Sequence, residues 1–494
     1  MNERYISTVD LGTSKIALTI AKVTGENVQI IYYKERPSDG VRYSRIFNPM
    51  RAAAPLKAAL AEAEHELGIK ITQVVIGLPR FGVRQETSKA VMERTDSNSC
   101  ITQEEIDAIK NIALDSYPLD DELKEEIYGA SAQSFSTEDM FNCTEDDVVG
   151  QPSSSLEGNF KVFIGAKKAV SNIDIMLNNA GVAPARKYFL PDAIATAVLS
   201  REEKENGVAL IEMGAGVTSV TIYEGSILRY YYSIPFGGKS ITTDIKYECG
   251  FTERLAENIK LAYGACMPEN LLTMSEKVLQ IVDEEDGTDQ QLTVKYLSEI
   301  ITARVKEIID AILFKVQESG YADRLRNGIV LTGGCANLVN CANLMKEMSG
   351  YNVRIGYPRA RRFSSSGCPG IAETGAVASV GMLLLAKNDV HLNCTDDIPV
   401  IRTKVDKEED EVEVKAAEKP EEPTTAPENT AAEKPEEGKT DGTVFDEKAW
   451  EKNKKKPEKK QRPERGYIRW IKKISGNISD RVGDLYESLE DNKE

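Results

Sequence analysis

Residues 5–23 read YISTVDLGTSKIALTIAKV. Apolar and polar residues alternate on both sides of a polar turn, and this spacing predicts two antiparallel strands joined by a tight hairpin. Gly12 lets the backbone of the turn approach a ligand closely, while the neighbouring hydroxyls and the Lys15 ammonium offer hydrogen bonds and positive charge. The stretch therefore predicts a phosphate-binding turn just after the acidic residue Asp10.

The same unit recurs farther along the chain. Residues 208–223 read VALIEMGAGVTSVTIY, with Glu212 in the place of Asp10 and Gly214 in the place of Gly12. Two copies of one strand-acid-glycine-strand unit, roughly 200 residues apart, predict two related lobes whose turns face one ligand. Two unrelated hairpins in an ordinary α/β protein are the alternative.

Two double glycines mark further turns. Residues 234–241 read IPFGGKSI and residues 328–337 read GIVLTGGCAN, each a strand that ends in Gly-Gly before a helix. Such a turn lets a flat ligand lie against the backbone, and the start of the helix adds a favourable dipole, although a purely structural turn is the alternative. Residues 251–300 are predicted to be largely helical, with Glu257 and Lys260 on one helix face.

The composition argues against several classes of protein function. The chain has 494 residues and a formal net charge of −17, which argues against general affinity for nucleic acid. Its two histidines and its eight cysteines without a CxxC pair predict reduced thiols in a cytosolic protein, with neither a zinc site nor a histidine-based triad. The N-terminus runs directly into a predicted strand, and no apolar run reaches the length of a membrane span, so neither a signal peptide nor a transmembrane helix is predicted.

A small subdomain is predicted within the first lobe. From residue 84 the regular alternation of strand and helix gives way to a more polar stretch, which ends at a strand near residue 165. Thr102 and Glu105 have the spacing of a helix N-cap with a capping box. We interpret residues 84–165 as an inserted α+β subdomain.

The C-terminal part changes in character. Residues 402–463 contain almost no large apolar side chains and are predicted to be a disordered linker that turns basic at its end. In the segment that follows, apolar residues recur at helical spacing beside cationic ones, which is typical of a helix lying in a membrane interface. Docking on a protein partner is the alternative. The predicted membrane-binding residues are Tyr467, Ile468, Arg469, Trp470, Ile471, Lys472, Lys473 and Ile474.

These motifs and their order resemble the actin-like ATPase superfamily and, within it, the FtsA family of bacterial cell division proteins. The resemblance covers nearly the whole chain apart from the linker. It implies an α/β, actin-like two-lobed fold with duplicated ribonuclease-H-like domains, an inserted small α+β subdomain, a disordered linker and a C-terminal amphipathic helix. It also implies ATP and Mg²⁺ as cofactors.

The resemblance assigns site residues by position. The implied nucleotide-binding residues are Asp10, Gly12, Thr13, Ser14, Lys15, Gly214, Ala215, Gly216, Thr218, Gly237, Gly238, Glu257, Lys260, Gly333, Gly334 and Ala336. Among them, Glu257 would meet the ribose and Lys260 the base side, while Asp10 and Glu212 would reach Mg²⁺ through water.

Two departures from the family pattern bear on hydrolysis. The second turn usually begins with Asp and carries a hydroxyl, whereas this chain has Glu212 and Val217 there. In related hydrolytic proteins an acid precedes the proline of the connecting segment, but here that residue is Leu190, with Asp192 only nearby. Glu212 and Asp192 are the catalytic candidates, and we expect ATP to be bound but hydrolysed slowly or not at all.

The resemblance also implies an organisation and a set of partners. The predicted segments are lobe 1 (1–83), the inserted subdomain (84–165), the return to lobe 1 (166–205), the lobe 2 core (206–240), subdomain 2B (241–305), the adenosine region with the closing helix (306–392), the linker (393–463) and the tail (464–494). The implied partners are the FtsZ C-terminal peptide at 2B, the anionic cytoplasmic membrane at the septum, further copies of the chain in a filament, and other division proteins at the inserted subdomain. A pilus-assembly adaptor and a small-molecule kinase of the same superfamily are the alternatives.

Overall fold

The computed structural model describes residues 3–282 and 289–396. The predicted linker from residue 402 onward and the predicted amphipathic tail helix lie outside the described residues. Among the helices of the described part, none combines the length and the apolar composition that crossing a membrane requires.

The first lobe begins with a three-stranded meander. Its first elements are β1 (Arg4–Leu11), β2 (Lys15–Thr24), β3 (Asn27–Pro37), β4 (Val41–Arg42), β5 (Arg45–Ile46), α1 (Pro49–Leu67), β6 (Lys70–Ile71) and β7 (Gln73–Gly77). An insertion follows, made of β8 (Arg84–Glu93), α2 (Gln103–Asp115), β9 (Glu125–Ser136), α3 (Glu145–Val148) and β10 (Ser155–Ala166). The chain then returns through α4 (Lys167–Ala180), β11 (Ala183–Tyr188), α5 (Leu190–Val198) and α6 (Arg201–Asn206).

The second lobe repeats the meander. Its elements are β12 (Val208–Met213), β13 (Thr218–Glu224), β14 (Ile227–Ile234), α7 (Gly238–Cys249), α8 (Glu253–Tyr263), β15 (Val278–Val282), β16 (Asp289–Thr293), α9 (Val294–Glu318), β17 (Ile329–Thr332), α10 (Cys341–Ser349) and β18 (Val353–Ile355). The described chain closes with β19 (Ser364–Ser365), α11 (Val377–Ala386) and β20 (Thr395–Asp396). The β15–β16 hairpin corrects part of the prediction that residues 251–300 are largely helical. The β-branched and aliphatic residues of β15 favour a strand, and β16 pairs with it in an antiparallel ladder.

The two main sheets share the same topology in five strands, and the first sheet has β19 in addition. In the first, the order is β11-β7-β1-β2-β3-β19, and in the second it is β14-β13-β12-β17-β18. In each, the three meander strands are antiparallel, and the first strand of the meander is also parallel to a later strand, β7 or β17. A further parallel strand, β11 or β18, extends each sheet. The sequence repeat is therefore a repeat of architecture.

The core lies on both faces of the first sheet. Because side chains alternate along a strand, Leu18 and Ile20 of β2 pack with α1 and α4, whereas Ala17 packs into a second cluster with α5 and α11. The second cluster also contains Leu210 and Val330 of the other sheet, so it joins the two lobes. The inserted strands β8, β10 and β9 form a separate sheet with its own small core around α2.

Local signals account for several element ends. The capping box predicted for α2 is present, since the Thr102 side chain accepts from the Glu105 amide and Glu105 accepts from the Thr102 amide. Helix α1 ends at Gly68, whose positive φ of 66° is favourable for glycine. These ends follow from single residues and could be predicted from sequence.

Asp310 on α9 gives a prediction about pH. Burial raises the pKa of its carboxyl to about 6, with Lys306 opposing that shift, and its Oδ1 has no hydrogen-bond partner in the described part of the chain. The folded state therefore binds this proton more tightly than the unfolded state does. The fold loses stability as the pH rises from the ordinary carboxyl pKa toward about 6, and the cost of the buried charge is largest above that pH. We expect Asp310→Asn to raise the free energy of unfolding at pH 8 by roughly 1 kcal/mol, since water screens half of this site.

Urea unfolding at pH 8 and pH 4 measures this effect. The gain should be much smaller at pH 4, where the carboxyl is protonated in the folded state and close to half protonated in the unfolded state. Glu299→Gln, which removes an exposed carboxylate from the same helix, serves as the control and should change little at either pH. An equal gain for Asp310→Asn at both pH values would show that burial of the charge is not the cause.

Candidate nucleotide site between the two sheets

The two glycine turns occupy equivalent places in the two sheets. Asp10 pairs with Ala17 in the first hairpin, and Glu212 pairs with Ser219 in the second, each one residue before the end of its strand. Each turn is closed by the same hydrogen bond, from the Gly12 amide to the Lys15 carbonyl and from the Gly214 amide to the Val217 carbonyl, both at 2.9 Å.

The two turns are in direct contact. A Cβ atom built on Gly216 would lie 2.7 Å from Oγ1 and 2.8 Å from Cγ2 of Thr13. The Gly237-Gly238 turn supports the second loop from below, because the amides of Gly238 and Lys239 donate to the carbonyls of Gly214 and Ala215 at 3.0 Å and 2.7 Å. Glycine is therefore needed here for close approach of one backbone to another.

Arg80 lies at the floor of the cleft and forms an ion pair with Glu212. Its side chain is 8% exposed, as is that of Glu212, and it reaches across from the first lobe to the second. Burial raises the pKa of the Glu212 carboxyl and of the Asp10 carboxyl, while the Arg80 guanidinium acts in the opposite direction on both. A guanidinium keeps its charge in proteins, so one fixed positive charge acts on both acids.

A third turn completes the cleft. Gly333 has a φ of 88°, and a Cβ atom there would lie 2.5 Å from the Met213 carbonyl oxygen. The Thr374 hydroxyl lies 2.9 Å from the Gly333 carbonyl oxygen. Cys335 also faces the cleft, and burial raises the pKa of its thiol to about 12, so it stays a neutral thiol.

Glu257 and Lys260 form a buried network with the start of α7. The Lys260 ammonium donates to Glu257 Oε2 at 2.7 Å, to Thr242 Oγ1 at 2.9 Å and to the Gly238 carbonyl at 2.9 Å. The Thr242 hydroxyl donates to the same carboxylate. All three donors of the ammonium are used, which fixes the position of α8 over the cleft.

The cavity enclosed by these turns has a volume of about 250 Å³ and opens at its mouth to solvent. The structure brings most of the predicted residues to its wall. Those lining it are Asp10, Gly12, Thr13, Ser14, Lys15, Glu212, Gly214, Ala215, Gly216, Gly238, Glu257, Lys260, Gly333 and Gly334.

Four predicted residues do not line the cleft. Thr218 donates to the Phe236 carbonyl at 2.8 Å, and Gly237 packs against the second loop, so both support the wall from behind. Ala336 is buried next to the third turn. Asp192 lies in a separate cavity with Lys204 and accepts a hydrogen bond from the Tyr223 hydroxyl at 2.9 Å. The structure thus does not bring this catalytic candidate to the cleft.

Sequence reasoning missed several wall residues. They are Arg80, Val217, Leu261, Gly264, Cys335, Asn337, Leu338, Thr374, Gly375, Val377 and Ala378. One of these residues, Arg80, could have been predicted from the sequence. Strand β7 is parallel to β1, so the residues that follow it emerge at the edge that carries Asp10. A basic residue three positions beyond that strand was the signal for Arg80.

Comparison with known proteins assigns the family. A family model described as "Cell division protein FtsA" matches residues 209–378. The cell division protein FtsA of Neisseria meningitidis is 30% identical over 362 residues, which cover 72% of this chain and 84% of that protein. The chain belongs to the FtsA family. The FtsA protein of Borreliella burgdorferi is also 30% identical, with 72% of this chain and 86% of that protein covered.

A solved structure supports the fold. The PilM-PilN type IV pilus biogenesis complex contains a chain that matches with a TM-score of 0.53 over 76% of this chain and 97% of its own length. At 17% identity this likeness concerns the fold alone. Membership of the FtsA family and the two sheets of equal topology confirm the predicted family and the predicted actin-like fold class.

Proposed function

We propose that this chain binds ATP between its lobes and links the division protein FtsZ to the membrane. The observation that supports it best is the meeting of two equivalent glycine turns and two Gly-Gly turns around one cleft, in a chain of the FtsA family.

ATP fits the cleft. Glycine turns whose backbones approach closely bind phosphate groups, and Ser14 and Lys15 stand at the first of them. Buried Asp10 Oδ1 has no hydrogen-bond partner within residues 3–282 and 289–396, so an unsatisfied acceptor lies beside the first turn. The triphosphate would lie at the two hairpin turns, the ribose near Glu257, and the base against Gly333-Gly334.

Mg²⁺ fits less well than the nucleotide. Glu212, one of the two predicted acids, is engaged by Arg80. Because Glu212 is paired and Asp192 lies outside the cleft, we propose that the nucleotide acts mainly as a conformational ligand and is turned over slowly or not at all.

The partners are proposed from the family and from the surface of 2B. The FtsZ C-terminal peptide would dock on residues 241–305 and the neighbouring turn, where Lys239, Lys246 and Arg254 could meet its acidic groups. Lys239 and Arg254 are exposed and Lys246 is partly so. Filament formation and the binding of other division proteins at residues 84–165 belong to the same proposal, as does a place on the cytoplasmic face of the membrane at the septum.

Liposome co-sedimentation tests the tether. Purified full-length chain and a version ending at Pro463 are each mixed with FtsZ and anionic vesicles in the presence of ATP. We expect FtsZ to pellet with the vesicles only when the full chain is present, because the basic and aromatic tail segment binds anionic lipid. Trp470→Ala in the full chain should reduce pelleting, whereas Glu347→Gln, which changes an exposed residue of α10 outside 2B, should leave it unchanged.

The two halves of the proposal fail separately. Equal pelleting of the full and shortened chains would remove the membrane role of the tail. If the full chain pellets with the vesicles while FtsZ stays in the supernatant, the membrane role is kept and the link to FtsZ is removed. Nucleotide binding is measured independently by calorimetric titration with ATP.

A further inference from the structure

Arg80 is the charged side chain of the cleft floor that the FtsA-type motifs did not point to. It follows β7 of the first lobe by three residues and is 6% exposed. Its backbone carbonyl accepts a hydrogen bond of 2.6 Å from the buried hydroxyl of Tyr231, a residue of β14 in the second lobe. The position of Arg80 is therefore fixed from both lobes.

The guanidinium is only partly satisfied. One of its terminal nitrogens is paired with Glu212, and Nε has no hydrogen-bond partner in the described part of the chain. Across the cleft floor, Oδ1 of Asp10 is also without a partner among the described residues. The other terminal nitrogen lies 3.9 Å from the point where a Cβ atom on Gly214 would stand, so the group lies beside the second phosphate turn.

We propose that Arg80 serves as the built-in cation of the phosphate site, so that this chain binds ATP with little dependence on Mg²⁺. The proposal rests on the nucleotide-binding function proposed above. Arg80 neutralises the two acids that would otherwise repel a triphosphate, a task that a divalent cation performs where acids face phosphate alone. Its planar donors suit phosphate oxygens.

The geometry also disfavours a metal at the same place. Mg²⁺ requires six oxygen ligands in near-ideal octahedral geometry and usually keeps several waters. A guanidinium paired with Glu212 takes one of the two carboxylates out of that set and brings a positive charge next to the other. The Arg80 guanidinium is therefore a cation already present in the region where Mg²⁺ would have to bind.

The test is calorimetric titration of the full-length chain with ATP, once in excess MgCl₂ and once in excess EDTA. We expect the two dissociation constants of the unchanged chain to agree within about threefold. For Arg80→Met, the affinity in EDTA should fall by at least about tenfold, because a charge-assisted contact to phosphate is lost. Mg²⁺ should restore part of that affinity, since the cation site is then vacated.

Two further variants distinguish a phosphate contact from a structural role. Glu212→Gln frees the guanidinium, so the affinity in EDTA should rise; a merely structural ion pair would give a fall instead. Arg84→Met is the matched control, because Arg84 pairs with Glu125 at the inserted subdomain and should have no effect. If Arg80→Met does not fold, the opposite sign expected for Glu212→Gln still decides the question.

The outcomes separate this inference from the proposed function. ATP binding that requires Mg²⁺ by tenfold or more in the unchanged chain overturns the role of Arg80 and leaves nucleotide binding intact. Absence of binding under both conditions overturns the nucleotide proposal and the inference together.

Discussion

Gly216→Ala is expected to weaken ATP binding by at least about tenfold while leaving the stability of the fold nearly unchanged. The added Cβ atom would lie 2.7 Å, 2.8 Å and 3.0 Å from three atoms of the Thr13 side chain. Thr13 is buried and stands on the opposite phosphate turn, so the strain is relieved by moving the two turns apart. A triphosphate held by both turns then loses contacts to one of them, and each charged hydrogen bond lost costs about 1.5–3 kcal/mol.

A double-variant cycle measures whether the two turns act together. Thr13→Ala removes two of the three atoms in the way, although it also removes the acceptor of a 3.2 Å hydrogen bond from the Ser44 amide. We expect the double variant to bind ATP better than Gly216→Ala alone, which is a coupling between sites in contact. Isothermal titration gives the affinities and thermal unfolding the stabilities.

The control for this experiment is Gly129→Ala. A Cβ atom on Gly129 would meet the Phe189 side chain at 3.4 Å, an ordinary contact outside the cleft. We expect unchanged affinity for this variant. Additive effects in the cycle would mean that the contact between Gly216 and Thr13 does not control the spacing of the turns.

The turns that make up the cleft could be predicted because each depends on local chemistry. Gly12 and Gly214 end their strands at the same register position, so the spacing of acid, glycine and strand was enough to pair them. The helix start at Thr102 was equally local, since a capping box involves residues three apart. Periodicity and turn residues carry such features without knowledge of the rest of the fold.

Features that depend on distant parts of the chain were not predicted. Arg80 gains its role from Glu212, which is 132 residues away and on the other lobe. Asp192 was placed by its closeness in sequence to Pro191, but helix α5 directs it toward Tyr223 and a separate cavity. The β15–β16 hairpin was taken for helix because the short apolar run of β15 suits either state and β16 is mostly polar. In each case tertiary packing decided between local alternatives.

Gly381 lies where helices α5 and α11 pack together in the core shared by the two lobes. This residue lies on α11, where an added Cβ atom would overlap the backbone carbonyl group of Ala193 on α5. Backbone atoms of a packed helix cannot move aside as a flexible side chain can. We therefore expect Gly381→Ala to lower the free energy of unfolding by about 3 kcal/mol, the upper end of what overpacking usually costs.

The control sits two residues away on the same helix. Ser379 is fully buried, and its hydroxyl has no hydrogen-bond partner among the described residues. Ser379→Ala removes that polar atom without adding volume, so it should leave the stability unchanged or slightly raised. Thermal unfolding should then show a decrease of roughly 4 °C for Gly381→Ala alone, because the entropy of unfolding grows with the number of residues that unfold together.

The shape of the thermal unfolding transition shows whether the two lobes unfold together. The cluster around α5 and α11 contains Val75 from the first sheet and Leu210 from the second, so one body of apolar side chains serves both. Loosening the helix pair should therefore lower the stability of both sheets together, and the unfolding of Gly381→Ala should remain a single transition at lower temperature. Two separate transitions would show that each sheet keeps its own core, and that the cleft between them is held by the turns and by Arg80 rather than by this shared core.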